Sequence, residues 1–266
     1  MTGTRAWRRD VVATRLVPSG EALVRIDLVG PDAQAHWESV QGDINHLDYK
    51  VYRSYADKRV CAGPFTGMEL VAEPRWHDGN LCLKLSGRYE RELWDVIEKA
   101  ISRQPQSVLN IGCCEGYYAV GLARRLPQAG VYACDIALEA MRLTSEAAAL
   151  NGVSDRVVAF VTDRGVGITP EPPCLVVIDN EGAEEDAVAS LLALNGDFII
   201  ECHDFLNSGV SERIAALLAA THEIERIDPA LDAEFIAAQQ TMFLGMIFTE
   251  KRAKQTCWLA CWRKPV

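Results

Sequence analysis

No stretch of this chain stays apolar for the roughly twenty residues that a membrane-spanning helix needs, so a helical span is not expected. The opening MTGTRAWRRDVVATRLVPSG carries arginines but no apolar core of a secretory leader, and a soluble, cytoplasmic protein is the expectation. Positive charge is scarce. Lys and Arg number 27 against 37 Asp and Glu, leaving −10, a balance that repels phosphate backbones and anionic lipid. Nucleic acid and membrane surfaces are therefore not expected partners. C-x-x-C pairs are missing too. The nine cysteines stand alone, adjacent (Cys113, Cys114) or four apart (Cys257, Cys261), and their odd number suits buried thiols of a reducing compartment better than zinc or a disulfide framework. Neither G-x-G-x-x-G nor G-x-x-x-x-G-K-[ST] occurs, which removes the dinucleotide fingerprint and the P-loop. No internal repeat or low-complexity tract is present.

What the chain does have is 266 residues at 49% hydrophobic content, enough to bury a full core. From about residue 104, short apolar runs alternate with helical patterns. The runs are SVLNI (107–111), VYACD (131–135), VVAFVTD (157–163), CLVVID (174–179), DFIIEC (197–202), EIERI (223–227) and CWLACW (257–262). Near-continuous apolar strands separated by helices imply a parallel sheet covered on both faces. The expected fold is α/β: a doubly wound, Rossmann-like, seven-stranded, mostly parallel sheet. In ALEAMRLTSEAAAL (137–150), Ala137, Ala140, Met141, Thr144 and Ala148 share a helical face, and Asn151-Gly152 ends the helix. Residues 1–88 break this rhythm and are expected to form an irregular cap, with the catalytic-type domain over 89–266. A helical pattern across 84–101, carrying Leu93, Val96, Ile97, Ala100 and Ile101, joins the two.

The informative segment is SVLNIGCCEGYYAVGLA (107–123): strand, tight turn, helix. Counting from Gly112, the second and third glycine positions of a dinucleotide turn hold Cys114 and Tyr117, so a pyrophosphate is blocked. The remaining G-x-x-x-G turn, Gly112 to Gly116, suits a single nucleoside with a small carboxylate-bearing tail. Asp135 ends the next strand, 23 residues on, where an acid accepts from ribose hydroxyls. Asp163 ends the third strand, placed for an adenine amino group. Asp135 also suits a plain helix cap before Ala137, and the glycines suit ordinary turns.

These residues resemble the class I S-adenosylmethionine-dependent methyltransferases. The closer resemblance is to the FkbM-type family: LNIGCCEGYYAVGLA is similar to its D-x-G-A-N-x-G-x-Y segment, and VVIDNEGAEEDAV (176–188) to its I-D-x-E-G-x-E segment. The resemblance spans about residues 85–205 and implies S-adenosylmethionine as cofactor. The implied cofactor residues are Asn110, Gly112, Cys113, Gly116, Tyr117, Asp135, Ile136, Asp163, Asp179 and Glu181. Asn110 stands where the family has an acid; it still hydrogen-bonds an ammonium but without charge assistance, which leaves Glu181 as a substitute.

In open α/β sheets the working groups gather at the carboxyl strand ends. That places Asp179-Asn180-Glu181 and His203-Asp204 as the chemistry-bearing clusters. His203 is the candidate base, since its ordinary pKa lies nearest neutrality, with Asp204 or Asp179 orienting its ring. The same three residues, Asp179, His203 and Asp204, alternatively suit Mg²⁺ or Mn²⁺. The expected partner is a small-molecule acceptor, a specialised metabolite or sugar methylated on oxygen before nitrogen, and a homodimer stays open. The rival readings are a non-catalytic nucleoside-binding protein and another sulfonium reaction, a lyase or cyclase, on the same scaffold. His36, His46, His77 and His222 show no partner spacing and read as structural. The loop GPFTGM (63–68) either covers a substrate with Phe65 and Met68 or plugs the joint between cap and sheet.

Overall fold

The computed structural model describes residues 12–19, 22–29, 45–72, 80–162, 164–165, 167–229 and 256–265, with side chains described from 45 onward. The seven expected strands all form: β3 (Ser107–Ile111), β4 (Gly130–Asp135), β5 (Val157–Val161), β6 (Cys174–Ile178), β7 (Gly196–His203), β8 (His222–Ile227) and β9 (Thr256–Arg263). Their order across the sheet is β5-β4-β3-β6-β7-β9-β8. β3 to β7 run parallel, while β9 inserts between β7 and β8 antiparallel to both. Leaving β3, the chain winds first to β4 and β5 on one side and then returns to β6 on the other. The strand order therefore reverses between β3 and β6, which opens a crevice at their carboxyl ends.

Helices α3 (Trp94–Ser102), α4 (Tyr117–Arg125) and α5 (Leu138–Leu150) cover one face; α6 (Glu184–Leu191) and α7 (Val210–Leu218) cover the other. The α5 stripe sits as its spacing requires, with Ala140, Met141, Thr144 and Ala148 buried. Asn151 closes that helix by donating Nδ2 to the Ala147 carbonyl at 2.9 Å, the same Nδ2 reaching the Glu69 carbonyl at 2.8 Å, and Gly152 follows at φ +68°. Both central strands are wholly buried, whereas β5 is the sheet's edge and leaves Val158, Phe160 and Val161 partly in solvent.

The expected continuous helix over 84–101 is broken. α2 (Leu81–Ser86) stops at Gly87, whose φ of +76° and approach to Ala62 leave no room for a side chain: a Cβ would stand 2.0 Å from the Ala62 carbonyl oxygen. One 3₁₀ turn (Arg91–Leu93) then leads into α3, where Val96, Ile97, Ala100 and Ile101 are buried as the stripe required. The region before 88 is also less irregular than expected. A hairpin pairs β1 (Val12–Ser19) with β2 (Ala22–Val29), and a helix, α1, runs through 45–54. Phe65 and Met68 are buried in the same hydrophobic cluster as α4 and the sheet, with Phe65 edge-on to Tyr117 at 5.3 Å. GPFTGM is the plug, not a substrate cover.

A candidate active site at the carboxyl edge of the sheet

The turn after β3 needs three left-handed residues in five: Gly112 (φ +74°), Cys114 (φ +50°) and Gly116 (φ +88°). Glycine meets that demand without steric cost at two of them, and Cys114 carries the strain of the third. The N–H groups of Gly112 and Cys113 both donate to the Cys134 carbonyl, at 2.8 and 2.9 Å, tying the turn to β4. The Asp179 N–H donates to the Ile111 carbonyl at 2.9 Å, tying it to β6. The turn thus sits on the crevice where the strand order reverses.

A cavity of about 430 Å³ opens there. Gly112, Cys113, Cys114 and Asp135 form one wall; Asp179, Glu181, Glu201, His203, Phe205 and Thr256 form the floor and far side; Asn80, Lys84, Tyr89, Glu90, Tyr117 and Tyr118 close it from the cap and α4. Ligand cavities of this size are ordinary for small molecules.

Asp135 does two things at once. Its Oδ1 accepts from the Ala137 N–H at 2.9 Å and its Oδ2 from the Cys114 N–H at 3.1 Å, so it fixes the chain just before α5 and braces the glycine turn while facing the cavity. Each carboxylate oxygen keeps capacity for a second donor. Cys113 lines the cavity as a neutral thiol, because burial pushes its pKa up. Asn110, by contrast, lies within β3 and outside the lining. Its Nδ2 reaches the Val177 carbonyl at 3.5 Å, and no described group meets its Oδ1. Gly116 caps α4 without lining the cavity, and Ile136 is 75% exposed beside it. Asp163, like His36 and His77, lies outside the described residues.

His203 is buried at the end of β7, and its two ring nitrogens have different company. Nδ1 lies 2.6 Å from Glu184 Oε1, a fully buried carboxylate oxygen that also accepts from the Gly182 N–H at 2.7 Å. Nε2 faces the cavity among Glu181 at 3.5 Å, Asp179 at 3.7 Å and Glu201 at 3.9 Å. Burial lowers the histidine's pKa, yet the Glu184 hydrogen bond and the Asp179, Glu181 and Glu184 charges together raise it above 6.5.

The expected role of Asp204 is not met. β7 ends at His203, and Asp204 begins the turn that leads towards α7. Asp204 lies outside the lining, and its Oδ1 accepts from the Ser211 N–H at 3.3 Å, securing the start of α7. Neither it nor Asp179 holds Nδ1; Glu184 does. Glu184 belongs to the VVIDNEGAEEDAV segment, but nothing local in that segment marks it as buried. Glu201, two positions before His203 on the same strand face, was legible from strand period.

Tyr89 and Glu90 border the cavity, and Glu90 accepts from the Tyr118 hydroxyl. Lys84 was unforeseen. It is buried against Glu115 in a close ion pair, with Nζ 4.8 Å from the Tyr89 ring centre and 5.6 Å from that of Tyr117. His222 is structural, with Nε2 3.0 Å from the Gly196 carbonyl.

All nine cysteines are free thiols, seven of them buried. Among the described residues no helix is long and apolar enough to cross a membrane.

No protein-family model matches the chain. Over 169 residues it is 28% identical to the release factor glutamine methyltransferase of Deinococcus radiodurans, covering 59% of this chain and 54% of that protein. The chain thus spans about half the length of this curated relative. Two solved structures are similar in path. Cofactor-bound Rv0187 from MTB shares 17% identity at a TM-score of 0.48, over 64% of this chain and 79% of that one. The O-methyltransferase TomG from Streptomyces achromogenes, in complex with S-adenosylmethionine, shares 15% identity at a TM-score of 0.46, over 73% of this chain and 100% of that one.

Proposed function

We propose that the protein is an S-adenosylmethionine-dependent methyltransferase of class I, of the FkbM type, acting on an oxygen, or less readily a nitrogen, of a small molecule. The observation that carries this reading is the cavity at the strand-order reversal, walled by the glycine turn and Asp135. Its described lining holds five carboxylates, Glu90, Asp135, Asp179, Glu181 and Glu201, against two cationic side chains, Lys84 and His203. Such a lining favours a ligand bearing a sulfonium and an ammonium and disfavours a diphosphate. The cofactor therefore fits the residues present. The curated relative supports the same reaction class.

When bound, S-adenosylmethionine supplies an electrophilic methyl group. The chain does the rest. Asp135 would accept from the ribose hydroxyls, and Glu181, which lines the cavity where Asn110 does not, would serve the ammonium. His203 Nε2 takes the proton from the acceptor, with Glu184 holding Nδ1–H and thereby the ring's orientation. Asp179, Glu181 and Glu201 stabilise the imidazolium that results. Asn80 and Lys84 reach the cavity from the 1–88 region, which supports the role of that region as a cap over the acceptor.

A metal-assisted reading has its own support. Asp179, Glu181 and His203 can offer ligand atoms lying within 4.8 Å of one another, with Glu181 in the place expected of Asp204. A carboxylate on the far ring nitrogen is the usual support of a metal-ligating histidine, and Glu184 provides it. Mg²⁺ or Mn²⁺ there would anchor the acceptor and lower the pKa of its hydroxyl.

Isothermal titration with S-adenosylhomocysteine tests the assignment. Binding should weaken about tenfold or more in Asp135→Ala, the loss of charged hydrogen bonds. No heat and no thermal shift at millimolar ligand would overturn it. Activity retained after exhaustive chelation would remove the metal.

A further inference from the structure

At the opposite edge of the sheet, the amino ends of β6 and β7 and the carboxyl end of β9 enclose a second cavity, of about 720 Å³. Four cationic side chains line it, Lys99, Arg103, Arg263 and Lys264, against two carboxylates, Asp197 and Glu223. This is a local excess of positive charge on a chain whose total is −10. It lies at the end of the strands remote from the glycine turn, and it shares no lining residue with the first cavity.

The cations are arranged rather than scattered. Both oxygens of Asp197 have a partner: Oδ2 accepts from Arg103 Nε at 2.6 Å and Oδ1 from the Arg263 N–H at 2.8 Å, which fixes the guanidinium of Arg103 and the backbone of β9. Lys99 Nζ lies 4.3 Å from the Trp262 ring centre, with Arg103 on the same ring at 5.9 Å. Lys99 has a further, loose ion pair with Glu225 at 3.9 Å. Lys264 donates to a neutral carbonyl, Ala219, at 2.9 Å, and among the described residues no carboxylate pairs with it. Among the described residues no acceptor meets the Arg263 guanidinium. Nor does any meet the indole Nε1–H of Trp262, although that side chain is only 4% exposed. A buried N–H without an acceptor destabilises the empty site, and a ligand oxygen would satisfy it.

We propose that this cavity binds a small multivalent oxyanion, a polyphosphate or a polycarboxylate. Arg103 and Arg263 supply planar, multidentate donors suited to either group, and Lys99 and Lys264 add charge around them. The site is independent of the methyltransferase assignment.

Titration calorimetry at constant ionic strength tests it, with pyrophosphate and citrate as probes and chloride as the balancing anion. At least one probe should bind with an affinity that falls about tenfold or more in the Arg263→Ala/Lys264→Ala double variant. Binding should be unaffected by saturating S-adenosylhomocysteine. Arg103→Lys, which keeps the charge but loses the fork, should weaken it too, with thermal denaturation confirming the fold of each variant. Pyrophosphate alone would mark a phosphoryl ligand, and citrate as well would mark charge as the selector. No heat from either probe at millimolar concentration would overturn the proposal, as would binding unchanged in the double variant.

Discussion

The Cα of Gly112 faces the carbonyl of Asp179 so closely that a Cβ would stand 1.5 Å from its oxygen. The ends of β3 and β6 therefore meet backbone to backbone at the point where the strand order reverses. Gly112→Ala must both open that contact and adopt a left-handed φ of +74°. It should cost more than about 1 kcal/mol of stability and abolish binding of S-adenosylhomocysteine. Thermal denaturation and titration calorimetry measure the two effects, and a near-wild-type Tm with intact binding would contradict the close approach.

His203 sets a pH dependence of known sign. Its pKa is raised above 6.5 in the folded protein, so the native state favours the imidazolium. The stability this contributes is fully present below 6.5 and is lost as pH rises through the raised value. A general base works only when neutral, so kcat/KM should climb over the same interval. Tm and rate thus move in opposite directions between those pH limits. In His203→Gln the Tm change should vanish and the rate fall by about 10²–10⁴.

Glu184 is a positioning residue, acting on the acceptor only through His203. Glu184→Gln keeps a hydrogen-bonding partner near Nδ1 but removes the charge. The rising limb of the pH–rate profile should shift to lower pH, and the plateau rate should drop about tenfold to a hundredfold. A purely structural role would lower Tm without moving the limb.

The Lys84–Glu115 pair is buried on both sides, at 3% and 7% side-chain exposure. Lys84→Met strands a carboxylate and should destabilise the fold by about 3–5 kcal/mol. The double variant Lys84→Met/Glu115→Leu should recover most of that in urea denaturation. A double variant as unstable as the single would show that the pair's charge itself supports the cap.

Asp204 should prove dispensable for chemistry. Asp204→Ala removes the acceptor for the Ser211 N–H and should cost about 0.5–2 kcal/mol, as loss of a helix cap does. The rate under folding conditions should be unchanged. A large fall in kcat at constant stability would return Asp204 to the reacting groups.

Most of the sheet was legible in the amino-acid order because its signals are local. The runs around Val108, Val131, Val176 and Ile199 are apolar for as long as a strand crosses the core, and Gly112 and Gly116 announce a turn wherever they stand. The break at Gly87 was not legible, since the Leu93–Ile101 stripe is helical and the obstacle, the Ala62 carbonyl, lies 25 positions earlier. α6 was hidden for a similar reason. Its first turn, Glu184-Glu185-Asp186, reads as surface charge, and only the fold buries Glu184.

By itself the sequence determined which segments cross the core, where the chain turns left-handed and which strand ends carry acids. Those properties depend on each segment's own periodicity and backbone preferences. Only the tertiary structure decided that Glu184 rather than Asp204 meets His203, that Lys84 closes the cavity from the cap, and that four cations line one cavity at the far edge. Each of those meetings joins elements that are distant in the chain. Side-chain partners of that kind are chosen by strand register and layer packing, which no local pattern encodes.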